Sequence, residues 1–558
     1  MAQLVQELTD DFSAGMFDSV APTRYPRASA ALIENGRIQP DGSVRRRPGT
    51  IKTTSSAANA ATGYGGVSFT TAAGTDQIIV FIGTKAYKSE NYGATLTEIA
   101  TGLRADYYSF ATMRVGATMY LFAANGDTTI KRWDGTTWDT LPNAPSGVKF
   151  IAVFNARLYA TGHSGVIVQA SKVADPETWS SPDGLTVQTL THGGNVPTGM
   201  FQIGPHLLIF DRQATSYIDG FGEQTLIVAA GATGFSRSVG CVAFRSVVGV
   251  GDNGVCWLSG RGVEFYSPGA GITLLSRSVE QFMREMDWEE LYANPGRISA
   301  AYDEIDQDYH VALSTNGIRN NRILILNLRQ NVQFQREGKR AAPAVDRLRS
   351  PTGGGLLFGG DTNGYLIASV GGVEVEADAQ GYMTLVGFDG GGETLGEDAE
   401  GYLELQTNDT LPASLFVAPS ASRPATLYSI GYDGYVRRHY GVDLDDMDSD
   451  STGGTEVWLR LASKPFTYKR PRQRKRVRVI HVSSIQEETS NVTVLLKGKG
   501  LYGEEHDLTM PSYGTEHAAR GRAMVKMDAD APQVEIRSKD DVRITLVGVS
   551  ANLLREQQ

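Results

Sequence analysis

Cysteine is almost missing: Cys241 and Cys256 are the only two in 558 residues. Two cysteines cannot supply the disulfide framework of a small secreted scaffold. Both sit in apolar, strand-like surroundings that suit buried thiols, and folding in a reducing cytoplasm is expected. Long apolar runs are missing too. No run reaches the roughly 18 residues a spanning helix needs, so no stable membrane insertion is expected. Residues 1–11 are polar and acidic, without the apolar centre of a secretory leader. Positive charge is outweighed: 52 Lys and Arg against 62 Asp and Glu leave a net −10. That is not the footprint of a general nucleic-acid binder. It is compatible with a wall past which DNA slides, because an acidic surface repels phosphate.

Signatures of chemistry are scarce. Neither G-x-x-x-x-G-K-[ST] nor G-x-S-x-G occurs. Gly249-Val250-Gly251-Asp252-Asn253-Gly254 matches G-x-G-x-x-G, but a strand with Cys256 and Trp257 follows where a helix is required, so it reads as a hairpin turn. The eight histidines (His163, His192, His206, His310, His439, His481, His506 and His517) are scattered, without zinc-ligand spacing. No cofactor is expected.

Glycine and short apolar strands are abundant. There are 63 glycines, well above the roughly 7% of an average protein. Ile78–Ile82, Tyr120–Ala123, Phe150–Phe154, Leu207–Phe210, Val255–Leu258, Tyr309–Leu313 and Arg322–Leu328 are strand-like. Turns such as Asn125-Gly126, Asp134-Gly135 and Asp252-Asn253-Gly254 punctuate them. The unit recurs about every 40–50 residues, the period of propeller blades, and five to seven blades are expected. One helix is expected near Ser278–Tyr292, where Val279, Phe282, Met283, Met286 and Leu291 form a stripe; it reads as ordinary packing.

The pattern predicts an all-β chain: an irregular β-propeller with an extended N-terminal arm, a small β insert and a C-terminal β-sandwich-like domain. Residues 1–62 read as arm and linker, with Pro22, Pro26 and Pro40 opposing helix. Residues 63–370 read as the propeller. Residues 371–410 hold a duplication, Asp378-Ala379-Gln380-Gly381-Tyr382-Met383-Thr384-Leu385 and Asp398-Ala399-Glu400-Gly401-Tyr402-Leu403-Glu404-Leu405, taken as paired hairpins that contact a receptor or fibre or serve only as a surface insert. Residues 411–454 read as a connection back to the propeller, carrying an acidic loop. Residues 455–558 alternate as a sandwich.

Several charged groups are candidate sites. Asp443, Asp445, Asp446, Asp448 and Asp450 crowd one loop; counted from Asp446, the glycine of a calcium loop is replaced by Ser451. Lys469-Arg470-Pro471-Arg472-Gln473-Arg474-Lys475-Arg476-Val477-Arg478 has seven cations in ten positions. Arg470, Arg472, Arg474, Lys475 and Arg476 read first as a subunit interface facing an acidic loop such as Asp443, Asp445 and Asp446 of a neighbour. A charge-protected edge strand and a DNA-phosphate contact are the other readings. Arg45, Arg46 and Arg47 read as a docking element on the arm, or as a solvated turn. Asp303-Glu304-Ile305-Asp306-Gln307-Asp308 concentrates carboxylates; a glycosidase needs such a pair across a cleft, whereas here a hairpin tip is expected, and no enzyme activity.

The stretch Asn35-Gly36-Arg37, then Asp41-Gly42-Ser43-Val44-Arg45-Arg46-Arg47-Pro48-Gly49-Thr50, resembles the tail nozzle (tail tubular B-like) and packaged-DNA-stabilisation proteins of short-tailed bacteriophages. Ala174-Asp175-Pro176-Glu177-Thr178-Trp179-Ser180, Leu208-Ile209-Phe210-Asp211-Arg212, Gly254–Val263 and Tyr302-Asp303 leading to Tyr309-His310-Val311-Ala312 are similar to segments of the same group. The resemblance covers about residues 20–340. It implies a structural virion protein made in the host cytoplasm. Copies of it, usually six, would ring the DNA channel below the portal and adaptor, retaining and then releasing packaged DNA and carrying fibres or spikes. The repeated insert departs from that group. A receptor-binding or polysaccharide-degrading tail protein on a β-propeller is the alternative.

Overall fold

The computed structural model describes residues 4–553 except 22–23, 55–56, 166, 181–182, 189–195, 220–226, 229–238, 252–253, 268–270, 316–318, 329–341, 348–356, 361–365, 371–372, 378–382, 387–393, 398–402, 407–411, 421–424, 440–456, 469–472, 486–488, 499–500, 512–518 and 530. Between 357 and 406 it describes backbone strands only.

Seven four-stranded antiparallel units surround one axis, a β-propeller. Their innermost strands are Gly63–Thr70, Ser109–Val115, Phe150–Phe154, Gly199–Ile203, Val248–Val250, Ser299–Asp303 and Pro412–Ala418. The first six blades are contiguous in sequence. The seventh takes Pro412–Ala418, Thr426–Gly431 and Val436–His439, and its outer strand is Thr50–Lys52 from near the other end of the chain. The ring is thus latched by pairing Arg437, Arg438 and His439 with Lys52, Ile51 and Thr50.

The apolar runs follow from this arrangement. A blade is covered on both faces, so its strands read as unbroken hydrophobic runs. In Asp76–Ile82, Ile79 and Phe81 enter the core shared with the second blade, and Ile78, Val80 and Ile82 enter the core shared with the seventh. Seven such inter-blade cores close the circle. Trp133 is buried between the first two blades, and its indole donates to Gln77 at 2.8 Å. The Asn155-Ala156 hairpin turn has positive φ at both residues, 47° and 55°, as a twist-matched two-residue turn demands. Where the ring closes, a Cβ on Gly434 would lie 1.8 Å from the Asn59 carbonyl oxygen, so only glycine fits.

The single expected helix is two, Glu280–Arg284 and Trp288–Ala293, after a 3₁₀ turn at Leu275–Val279. Asp287 interrupts it by capping the second helix, accepting from the Glu290 amide. The stripe Val279, Phe282, Met283, Met286 and Leu291 is buried against the fifth and sixth blades. No helix among the described residues is long and apolar enough to cross a membrane.

The second lobe is a β-sandwich, and the N-terminal segment belongs to it. One sheet runs Gly36–Ile38, Val44–Arg46, Arg543–Leu553, Lys475–Ile485, Ala519–Ala529, with Leu4–Thr9 also on Arg543–Leu553. The other contains Ser29–Glu34, Leu459–Ser463, Gln533–Ser538, Ser490–Gly498 and Leu501–Met510. Phe12, Ile33 and Val44 share its core with Leu461, Ile480, Val494, Ile536 and Val549. The expectation of an extended arm over 1–62 is therefore corrected. Its strands are too short and irregular to show an alternation of their own, and the partners that place them, Arg543–Leu553, Leu459–Ser463, Ala342–Arg347 and Val436–His439, lie about 300 to 550 residues away. Residues 412–439, expected as a connection, form most of the seventh blade.

The two lobes share a sheet. The sixth blade's outer strand, Ala342–Arg347, pairs in parallel with Ser29–Glu34 through Val345 and Glu34. Ser29–Glu34 in turn pairs antiparallel with Leu459–Ser463. A ten-stranded sheet thereby runs from the propeller axis through the sandwich. Between the sixth and seventh blades lie Leu357–Gly360, Leu366–Val370 and two hairpins, Val373–Ala377 with Met383–Val386 and Thr394–Glu397 with Leu403–Gln406. The pairings Ala377 to Met383 and Glu397 to Leu403 carry the sequence duplication into the backbone.

Candidate functional site

The described part of the second basic run lies on Lys475–Ile485 of the sandwich. Alternation along this strand divides its cations. Lys475 points inward and is fully buried, so it is not an interface residue, contrary to the sequence expectation. Arg476 pairs with Asp528 on the adjacent strand, with contacts of 2.8 and 2.9 Å, which holds the Asp528 carboxyl below the usual range. Arg474 is exposed and Arg478 half-buried. Arg470 and Arg472 lie outside the described residues, as do Asp443, Asp445 and Asp446.

The neighbouring strand Ala519–Ala529 adds cations that sequence reasoning missed. Arg520, Arg522, Met524 and Lys526 project outward while Ala519 and Ala523 face the core. Register places Arg522 beside His481 and Arg520 beside Ser483. Burial, with the Arg522 charge next to it, lowers the His481 pKa. Met524 is 74% exposed, so the face has an apolar centre. Among the described residues Arg474, Arg478, Arg520, Arg522 and Lys526 enter no ion pair. The usable signal was the sequence Ala519-Arg520-Gly521-Arg522-Ala523-Met524-Val525-Lys526, with Arg520, Arg522 and Lys526 in phase on alternate positions and small or apolar residues between.

The first arginine run divides the same way. Arg45 is exposed and grips Asp541 at 3.0 and 2.5 Å. Arg46 is 1% exposed and donates to the Val457 carbonyl at 2.6 Å. Arg47 is buried and donates to the Asn35 side chain at 3.2 Å and the Pro48 carbonyl at 3.1 Å. Arg46 and Arg47 are internal struts rather than docking residues. Alternation on the short strand Val44–Arg46 turns one cation out and one in.

The carboxylates at 303–308 form a hairpin tip. Buried Asp303 accepts from the Ile305 and Asp306 amides at 2.9 and 3.3 Å. Asp308 is buried and accepts from Asn327 at 2.8 Å. Burial raises its pKa to about 7. Neither residue lines a cavity of the propeller axis.

Among the described residues two cavities lie on that axis. A vestibule of about 580 Å³ opens on the face bearing the loops that join successive blades; Tyr107, Asn125, Lys149, Arg212 and Asn294 are among its walls. A second cavity of about 240 Å³ lies among Ser109, Arg245, Ser299 and Ser414 on the innermost strands and beside them. Phe150 and Phe244 line both, with ring centroids 4.7 Å apart. Arg245 donates to the Gly296 carbonyl at 2.8 Å, to Ser299 at 3.2 Å and to Ser414. Its guanidinium stands 4.8 Å from the Tyr107 ring centroid. Burial lowers its pKa to about 10, so it remains a cation.

The comparisons with known proteins add fold-level likenesses. No family model matches the chain, and no curated protein matches it. Among solved structures, U3-55K is 12% identical, covering 56% of this chain and 89% of its own, with a TM-score of 0.35. Sqt1 from Saccharomyces cerevisiae is 11% identical, covering 71% of this chain and 100% of its own, with a TM-score of 0.36. An exo-beta-1,3-galactanase from Phanerochaete chrysosporium is 10% identical, covering 80% of this chain and 97% of its own, with a TM-score of 0.26. Likenesses this distant assign no ligand or activity; the propeller rests on the strand order itself.

Proposed function

We propose that the chain is a structural virion protein of a short-tailed phage, a tail nozzle or hub subunit that assembles with copies of itself into a ring. The ring would surround the DNA exit channel, most simply with six copies, beneath portal and adaptor proteins and bearing fibres or spikes. The residue pattern from Asn35 to Thr50 supports the family reading. The observation that carries the assembly reading is the cationic sandwich face on a chain of net charge −10. A cyclic assembly uses two different patches of the same subunit, and a basic patch on an acidic subunit supplies one half of such a pair. The shared ten-stranded sheet, in which Glu34 and Val345 join the lobes, favours a rigid building block.

The test is particle mass. Purified full-length protein, measured by mass photometry and electron microscopy, is expected to form closed rings at low salt that loosen as salt is raised. Changing Arg520, Arg522 and Lys526 together to Glu is expected to leave folded single subunits. A wild-type protein that stays monomeric at micromolar concentration and low salt would overturn the reading. Release of reducing ends from capsular polysaccharide would replace it with a depolymerase.

A further inference from the structure

The vestibule on the propeller axis is built for negative charge, although the chain as a whole is acidic. Lys149 and Arg212 stand on its wall. Arg212 is braced by the Tyr292 carbonyl at 2.8 Å and stacks on the Tyr292 ring at 5.5 Å. Behind the wall lies Arg245, in contact with two vestibule residues, Gly296 through its carbonyl and Tyr107 through its ring. These three cations come from three separate blade-joining or blade-turning segments. Among the described residues none of them is in an ion pair. Among the described residues the carboxylate on the wall is that of Asp106, already engaged by Arg104 at 3.1 Å and by the Tyr107 amide at 2.8 Å.

Arg245 is half-buried and its guanidinium is held by carbonyl and hydroxyl oxygens, which leave its charge uncompensated. Its field reaches into the axial cavities, whose protein walls screen it less than open solvent does. A cavity of about 580 Å³ is within the range of small-molecule sites, and Tyr107, Phe150 and Phe244 give it ring surfaces beside the charges. We infer that this vestibule is a binding site for a small oxyanion, a carboxylate or phosphate group carried on a compact body, seated between Lys149 and Arg212 with Arg245 behind. The inference is independent of self-assembly.

The experiment is calorimetric titration of the full-length protein with inorganic phosphate and with sodium glucuronate, against sodium chloride at matched ionic strength. Saturable heat with phosphate, glucuronate or both, absent with chloride, is expected; the stronger of the two names the head group as phosphate or acidic sugar. The exposed pair Lys149→Glu and Arg212→Glu, shown folded by circular dichroism, is expected to weaken binding at least tenfold. Arg245→Lys, which keeps the charge but not the fork, is expected to weaken it less. No saturable signal beyond chloride, or a signal unchanged in the Lys149→Glu/Arg212→Glu variant, overturns the inference.

Discussion

The propeller and the sandwich are made of the same short strands but by opposite rules of assembly. The first blade is complete within residues 63–100. The sandwich joins Leu4–Thr9 to Arg543–Leu553 and Ser29–Glu34 to Leu459–Ser463. Closing a hairpin costs little chain entropy, whereas bringing the two ends of a long chain together costs more and comes later. Blades one to six can therefore form locally. The seventh blade and the sandwich wait for the chain ends, and one N-terminal segment serves both.

Removing that segment is the strongest way to break the comparison. Deleting residues 1–49 takes Phe12, Ala30, Ile33 and Val44 out of the sandwich core and frees the edges of two sheets. Loss of cooperative sandwich folding is expected, with a fall in Tm of more than about 10 °C and proteolysis first within 455–558. Of the inter-blade cores only the one between the fifth and sixth blades loses a buried member, Met16, so the propeller should persist as a protected fragment. An unchanged Tm and protease map would show that the segment is an arm after all.

The same contrast explains what could be read from sequence. The first six blades are contiguous, so Ile78–Ile82, the turn Asp134-Gly135 and the strand Val255–Leu258 announced themselves through local pattern and spacing. The duplication at 378–385 and 398–405 was visible for the same reason. The strands Gly36–Ile38, Val44–Arg46 and Thr50–Lys52 have three residues each. That is too few for period-two alternation to stand out, and nothing near them in sequence pairs with their outer edges. The site divides likewise. A run of like charges is legible as a run, but which members face solvent depends on strand register, and so Lys475 and Arg46 were misjudged while Arg520, Arg522 and Lys526 were passed over. The axial vestibule was invisible because its wall is assembled from short segments scattered between residues 106 and 296.

Two buried carboxylates on the shared sheet sharpen the comparison through pH. Asp308, in the sixth blade, is pushed up to about 7 by burial, which the charge of Arg37 and a hydrogen bond from Asn327 only partly offset. Glu535, in the sandwich, is also raised by burial, but hydrogen bonds from Lys497 and Arg537 and the charge of Arg460 outweigh this and bring it to about 2. The signs are opposite. The folded state holds the Asp308 proton that the unfolded chain loses near pH 4, so this group's contribution falls as pH rises from about 4 to 7. Glu535 stabilises above about pH 4.5 and loses its contribution as pH falls towards 2. Asp308→Asn is expected to add about 1–3 kcal/mol at pH 8 and little at pH 4. Glu535→Gln is expected to remove about 1–3 kcal/mol at pH 7. Denaturant midpoints across pH 3–9 check both, and parallel pH profiles for the two variants would contradict the assignment.

The smallest effect separates two adjacent arginines that the sequence presents as equivalent. Arg45 and Asp541 have side chains 51% and 36% exposed, and a pair this wet contributes at most about 1 kcal/mol. Arg46 is buried where the sandwich's N-terminal and C-terminal strands meet. Its side chain donates to the Val457 carbonyl and its backbone amide to the Val542 carbonyl at 3.2 Å. A charged hydrogen bond of this kind is worth about 1.5–3 kcal/mol, and truncation also leaves a buried acceptor to be satisfied. Arg46→Ala should therefore destabilise by about 2–3 kcal/mol, and Arg45→Ala by less than about 1 kcal/mol with an effect that fades in high salt. Urea midpoints at low and high salt measure both. Equal losses for the two variants would mean that the Arg45-Arg46-Arg47 run acts as one surface element, and the inward strut assigned to Arg46 would have to be given up.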